Sequence, residues 1–484
     1  MRKLSLSIFL LAALAGCSGT HTVTLSVKNS AGNIYCSLPV DNSATVFAND
    51  TLRVVSADTT FVLDLNTNTM MDAFLFGEGL NNRKVQTVLG ESFSIVSDPG
   101  DSTETIYFSG KNAAGRDLYN RLSQEKNIYR YGWVRDFSSA PLDTSAVVMR
   151  ANFGRMAGDE IARFDSLRRK GEIDRRFFDY VKADIELYYK TVLAQVIAAK
   201  YMQDSVLFGD YGQVWEQVYR EQPISAELFN YSNAKVFTDI YLNQYIPYKT
   251  RIADKPRNFG EYVNFCARNI DENISDPEAR KRYLMCWLFY LSLNNKTYEK
   301  SVVEQTDKFA SEFPGSEINA FFSNQKRAVE KYHEIVAADF SPEVKFVDNY
   351  QDIESFGELL GKFRGRRVFI DLWFATCGPC LQEFKHTGAL KTFLKENDID
   401  MLYISIDRPD MEKAWQNAIK FNDLEGFHVR TTKELHVDLY EKYGVASFPA
   451  YMIVNEKGEI VERNAPSPSS GQILIDRIRE KLAL

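Results

Sequence analysis

The chain has 484 residues, enough for about three domains. Hydrophobic residues make up 45% and charged residues 25%, ordinary proportions for globular protein. The net charge of −7 argues against nucleic acid as a partner, because nothing would neutralise the phosphates.

The N-terminus reads as a targeting segment. Arg2 and Lys3 form a short basic region, and the stretch from Leu4 to Ala15 is apolar, as in a signal peptide. Leu14-Ala15-Gly16-Cys17 follows, with a Ser/Gly/Thr stretch behind it. That pattern looks like a bacterial lipobox. Residues 1–17 are therefore expected to be a lipoprotein signal peptide, with Cys17 as the lipidated first residue of the mature chain. No second apolar run reaches 18 residues, so no transmembrane helix is expected. The expected location is the periplasmic side of the cell envelope, lipid-anchored to the inner or outer membrane, where disulfides persist.

Residues 20–110 show short alternating runs. Examples are Val23, Leu25 and Val27, then Phe61 to Leu65, then Thr105 to Phe108. Asn, Asp, Gly and Ser clusters separate them. This predicts a small antiparallel β domain. Cys36 reads as a buried apolar thiol.

Residues 111–336 are rich in Arg, Glu, Tyr, Phe and Leu and poor in Gly and Pro. Phe177, Val181, Ile185, Tyr188, Val192, Val196 and Ala199 recur at spacings of three and four, the stripe of an amphipathic helix. Asp174 or Gly171 would start it. Further helices are predicted at 224–245, 258–270, 277–293, 297–313 and 316–336. The many aromatic residues suit core packing; the alternative is a groove for a partner peptide. Cys266 and Cys286 read as buried thiols, although spacing alone does not exclude a bridge.

Residues 337–342 look like a linker, and 341–484 alternate strand with helix. Strands are predicted at Val368–Phe374, Asp400–Ile406, Ala450–Val454 and Glu459–Glu462. Helices are predicted at Leu381–Asn397, Asp410–Phe421, Lys433–Tyr443 and Ile473–Leu482. Alternation of this kind gives an α/β layer fold with parallel central strands. The fold class is thus multidomain: β, then helical, then α/β.

The chemistry concentrates in residues 366–380. Val368 to Phe374 is apolar except for Asp371, which suits a central strand covered on both faces. Cys377-Gly378-Pro379-Cys380 follows, at the start of a helix. Unpaired amides there favour a thiolate at Cys377. Cys380 lies about one turn on, on the same face. Such a pair can be a redox dithiol, half a zinc site or a structural bridge. Zinc usually needs a second Cys/His pair at short spacing, and Cys17, Cys36, Cys266 and Cys286 supply none. His386, His428 and His436 read as surface or packing residues. No phosphate loop and no Ser-His-Asp signature is present, so neither a metal nor a cofactor is expected.

This stretch closely resembles the thioredoxin superfamily. Trp373, the Cys377–Cys380 pair enclosing Gly-Pro, and Asp371 six residues before Cys377 all match. Thr376 departs, since thioredoxins usually carry Trp there. The resemblance covers the last third of the chain and is closest to the TlpA/ResA-like branch. Glu383 matches that branch, and Tyr443 to Pro449 matches the second family landmark, with Pro449 at the expected cis position, where it would face the Cys377–Cys380 pair as part of the catalytic site. On this reading Cys377 attacks a substrate disulfide, Cys380 resolves the mixed disulfide, and Asp371 accepts the Cys380 proton. Trp373 would shield the site and help bind the substrate, and backbone groups of Ser447 and Phe448 would pair with a substrate strand. The resemblance implies a reducing envelope oxidoreductase acting on disulfide-containing proteins, with a membrane thiol carrier of the DsbD or CcdA kind as electron source. The alternatives are a partner-binding lipoprotein whose N-terminal domains capture a protein or peptide, and a disulfide-forming oxidase.

Overall fold

A computed structural model describes residues 21–28, 32–41, 43–54, 58–65, 70–80, 85–89, 91–97, 106–125, 145–203, 209–250, 256–295 and 297–484. Cys17 and the expected signal peptide lie outside the described residues. The chain divides into two compact units, Met1–Lys326 and Arg327–Leu484.

The first unit opens with two four-stranded sheets. One runs Asp58–Leu65, His21–Lys28, Phe93–Ser97, Ile106–Gly110 from edge to edge. The other runs Ser43–Val54, Gly32–Val40, Met71–Phe76, Val85–Leu89. Neighbours are antiparallel except His21–Lys28 and Phe93–Ser97, which pair in parallel. The domain is therefore not purely antiparallel, because His21–Lys28 and Phe93–Ser97 come together from distant parts of the chain. Helices follow. In helix Arg175–Gln203 most of the predicted stripe is core: Phe177, Val181, Ile185, Val192 and Val196 are buried, and Tyr188 and Ala199 are half-buried. Asp174 starts this helix, its Oδ1 accepting the Phe177 N–H at 2.8 Å. Cys266 and Cys286 are buried thiols in this unit.

The second unit is a three-layer α/β/α fold. Its strands are β1 (Val344–Phe346), β2 (Arg367–Trp373), β3 (Ile399–Ser405), β4 (Gly426–Arg430), β5 (Ala450–Val454) and β6 (Ile460–Glu462). Its helices are α1 (Phe356–Gly361), α2 (Gly378–Glu383), α3 (Gly388–Glu396), α4 (Glu412–Phe421), α5 (Lys433–Tyr443) and α6 (Gln472–Leu482). The sheet order is β6-β5-β2-β3-β4-β1. β2, β3, β4 and β1 are parallel; β5 runs against them, and β6, antiparallel to β5, runs with them.

β2 lies inside the sheet, and every side chain from Val368 to Trp373 is buried. Alternate residues point to opposite faces. Val368, Ile370 and Leu372 pack with Phe356, Leu359, Leu435 and Leu439 of α1 and α5. Phe369 and Trp373 pack with Leu390 of α3, Trp415 of α4, Leu474 of α6 and the two cysteines. Asp371 shares that second face. Each fully buried large apolar side chain contributes about 1.5–3 kcal/mol, so this strand tolerates one costly carboxylate.

α5 and β5 have the predicted bounds. The single helix expected over Leu381–Asn397 is instead two helices joined by a 3₁₀ turn, Phe384–His386. The Thr387 hydroxyl donates to the Phe384 carbonyl at 2.8 Å, offering the backbone a local alternative to helix. β1, α1 and β4 have no counterpart among the predicted elements. β4 carries buried His428 and Arg430, which hide the apolar signature of a covered strand.

Candidate active site

The site is built where β2 gives way to α2. Asp407, just past β3, holds the turn. Its Oδ2 accepts the Ala375 N–H at 2.8 Å and the Ser405 hydroxyl at 2.7 Å, while Ser405 Oγ accepts the Asp407 N–H at 3.1 Å. The Ile406 N–H donates to the Trp373 carbonyl at 3.0 Å, and the Cys377 N–H donates to the Phe374 carbonyl at 3.0 Å. These bonds deliver Cys377 to the N-cap position of α2 in extended backbone, where its Sγ accepts the Cys380 N–H at 3.2 Å. Pro379 occupies the first turn, where its missing N–H would be unpaired anyway.

Cys377 and Cys380 are joined as a disulfide, with Cα atoms 5.3 Å apart. Cys377 is 3% exposed and Cys380 0%, while Thr376, Gly378 and Pro379 around them are more open to solvent. Cys377 is thus the sulfur nearer to solvent.

Asp371 is fully buried, and neither carboxylate oxygen has a hydrogen-bond partner. Burial first, and the Glu383 charge second, push its carboxyl well above the ordinary range. Glu383 is held in place by Ser469, whose N–H and hydroxyl both donate to its carboxylate at 2.8 Å.

The other expected site residues fall in different settings. Trp373 is fully buried, edge-on to Phe384 with ring centroids 5.2 Å apart. It roofs the core beneath the motif and has no surface to offer a substrate directly. Ser447 is exposed, and Phe448 and Pro449 are half-buried. The Phe448–Pro449 bond is cis. Phe448 packs edge-on against Phe374 at 5.8 Å, which ties this loop to the entry of the cysteine motif. Among the described residues no cluster of three or more His, Cys, Asp or Glu could hold a metal.

The sequence reading passed over Asp407 and Ser405. Asp407 lies 32 residues from Ala375, and only the β2–β3 pairing brings them together. No local pattern marks such a residue beyond a short polar step, Ser405 and Asp407, at the end of an apolar strand.

The Redoxin family model matches residues 336–473. Among curated proteins, the thiol-disulfide oxidoreductase ResA of Halalkalibacterium halodurans is 25% identical over 112 residues, 23% of this chain and 61% of that protein. The C-terminal domain is a TlpA/ResA-like member of the thioredoxin superfamily. ResA of Bacillus thuringiensis subsp. konkukian is 27% identical over 111 residues, again 23% of this chain and 61% of the relative. The chain thus spans about three fifths of the length of the curated relatives it matches. Among solved structures, the thioredoxin domain of a thiol-disulfide oxidoreductase from Bacteroides vulgatus is 28% identical, with a TM-score of 0.22 over 25% of this chain and 82% of that one. Within the TlpA/ResA-like domain, the cysteine pair, Asp371 and Glu383 fall inside the matched Redoxin segment, and so do Ser447, Phe448 and Pro449.

Proposed function

We propose that this chain is a thiol–disulfide oxidoreductase of the cell envelope that reduces substrate disulfides. The observation that carries the reading is the Cys377–Cys380 disulfide at the N-terminus of α2, above a sheet face that holds a buried carboxylate without partners. In the reduced protein the Cys380 N–H already aimed at Cys377 Sγ favours a thiolate there. That thiolate attacks a substrate disulfide and forms a mixed disulfide, and the first substrate thiolate leaves. Cys380 then passes its proton to Asp371 and attacks Cys377 Sγ. The Cys377–Cys380 bond re-forms and the second substrate thiolate departs and picks up a proton. The raised affinity of Asp371 for a proton makes it a usable base near neutrality.

The remaining parts of the reading follow from the same resemblance. Backbone groups of Ser447 and Phe448 align the substrate strand. Cys17 carries the lipid that anchors the chain, and a membrane thiol carrier of the DsbD or CcdA kind returns electrons. The substrates are disulfide-containing envelope proteins.

The deciding experiment is a Cys380→Ser trap in cells. Envelope proteins disulfide-linked to Cys377, absent from a Cys377→Ser control, support the reading; no adducts, together with no insulin reduction by the wild type, would overturn it. A reduction potential near that of thioredoxin, about −270 mV, marks a reductant; one near DsbA would reverse the direction. Mass spectrometry of membrane-extracted protein tests Cys17, and an unmodified Cys17 would remove the anchor.

A further inference from the structure

Two buried phenols on the sheet face beneath the disulfide have no part in the chemistry above. The ladder places Tyr403 of β3 and Tyr451 of β5 directly opposite Asp371, one on each side. Residues paired across neighbouring strands point to the same face, and such strands lie about 4.7–4.9 Å apart. Tyr403 is 0% exposed and Tyr451 4%. Neither hydroxyl has a hydrogen-bond partner, and neither carboxylate oxygen of Asp371 has one. Two O–H donors and two carboxylate acceptors thus share one buried face, whereas buried polar atoms in proteins are as a rule paired.

Packing holds the two rings. Tyr403 lies flat against His428 at 5.0 Å and edge-on to Phe384 at 6.1 Å. Tyr451 lies parallel to Phe369 at 5.9 Å. Between these rings, Asp371 is the short side chain that the register sets opposite both.

We propose that Tyr403 and Tyr451 are positioning residues for Asp371: their O–H groups donate to its ionised carboxylate and ready it to take the Cys380 proton. This rests on Asp371 being the proton acceptor. In the step itself the Cys380 proton moves to the Asp371 carboxylate, the Cys380 thiolate attacks Cys377 Sγ, and the substrate thiolate leaves. The phenols keep their protons and change no redox state.

The surrounding charges make donors necessary. Burial first, and Glu383 of α2 second, oppose ionisation of Asp371. His428 of β4 faces Tyr403 as a neutral ring, since burial lowers its pKa to about 4. Asp423 and Glu425 act on Tyr403, and Glu383 acts on Tyr451; Asp371 acts on both phenols. All of these add negative charge. Besides the cysteines themselves, the indole N–H of Trp373 is another donor without a partner on this face, but it sits a two-residue step along the strand rather than opposite.

The test uses the full-length protein and Ellman's reagent as the disulfide. The first thionitrobenzoate released reports attack by Cys377; the second reports resolution by Cys380. Tyr403→Phe and Tyr451→Phe keep the rings and remove only the hydroxyls. Each is expected to slow the second release about tenfold at neutral pH, one charge-assisted hydrogen bond's worth, with the rate recovering at higher pH. The first release stays unchanged. In an Asp371→Asn background neither substitution has a further effect. Second-release pH profiles unmoved in both variants and in their double variant overturn the proposal, and so does a further slowing by either substitution in the Asp371→Asn background. If Asp371→Asn alone leaves the second release unchanged, the acceptor assignment itself fails, and this proposal with it.

Discussion

Replacing Asp371 with Ala should stabilise the protein while slowing its chemistry. The side chain buries two carboxylate oxygens with no hydrogen-bond partner, and an unsatisfied buried polar group costs about 1–3 kcal/mol. Taking about 2 kcal/mol for the whole carboxyl is conservative. Ala leaves a hole of roughly 20 Å³, which costs about 0.5 kcal/mol at about 24 cal/mol per Å³. The net gain is about 1.5 kcal/mol. For a unit the size of Arg327–Leu484, that raises Tm by about 3–6 °C at about 2–4 °C per kcal/mol. The gain must depend on pH. Unfolded Asp371 ionises near pH 3.9, whereas burial keeps the folded residue protonated to higher pH. Across that window the folded state binds more protons, so wild-type stability falls as pH rises. The Ala variant lacks that slope, and its advantage should be larger at pH 8 than at pH 5. Calorimetry of the oxidised full chain at both pH values measures this. An Ala variant less stable than wild type, or an advantage that does not grow with pH, would refute the account of Asp371 as a buried carboxyl held against its preference.

His428 should give the opposite slope. Burial lowers its pKa from 6.5 to about 4, so stability is present above the unfolded value and lost as pH falls from about 6.5 towards 4, by about 3 kcal/mol; His428→Gln should remove that acid-side loss in urea titrations at pH 5 and 7. After reduction, timed iodoacetamide labelling should modify Cys377 well before Cys380, because Cys377 is the more exposed sulfur and accepts the Cys380 N–H; faster labelling at Cys380 would reverse the assigned roles. Asp407→Ala should cost about 1–3 kcal/mol by leaving the buried Ser405 hydroxyl and the Ala375 N–H without their acceptor. It should also slow disulfide exchange at saturating substrate, since the turn that positions Cys377 loosens; unchanged exchange in the folded variant would confine Asp407 to stability.

Local pattern determined a good deal of this protein. A seven-residue apolar run is enough to mark β2, because a strand covered on both faces needs no polar alternation. Cys-Gly-Pro-Cys after it marks a strand-to-helix junction, because Pro at a first helical turn and an N-cap before it are local requirements. The bounds of α5 and β5 and the stripe of helix Arg175–Gln203 were legible for the same reason: each is set by neighbours within a few residues. The tertiary structure decided what depends on distant pairing. The parallel contact of His21–Lys28 with Phe93–Ser97 joins strands that no nearby turn connects. β4 was hidden because its buried His428 and Arg430 break the apolar run, and their burial comes from packing against other elements, not from their own sequence context. Asp371 was conspicuous as a lone charge in an apolar strand, but its lack of any partner could be seen only once the sheet was assembled. Asp407 holds the active-site turn from 32 residues away, and Tyr403 and Tyr451 flank the carboxylate only because β3 and β5 pair with β2 in one register. A register shift of one residue would turn both phenols to the opposite face; that choice belongs to the packing of the whole sheet, which no short window of sequence encodes.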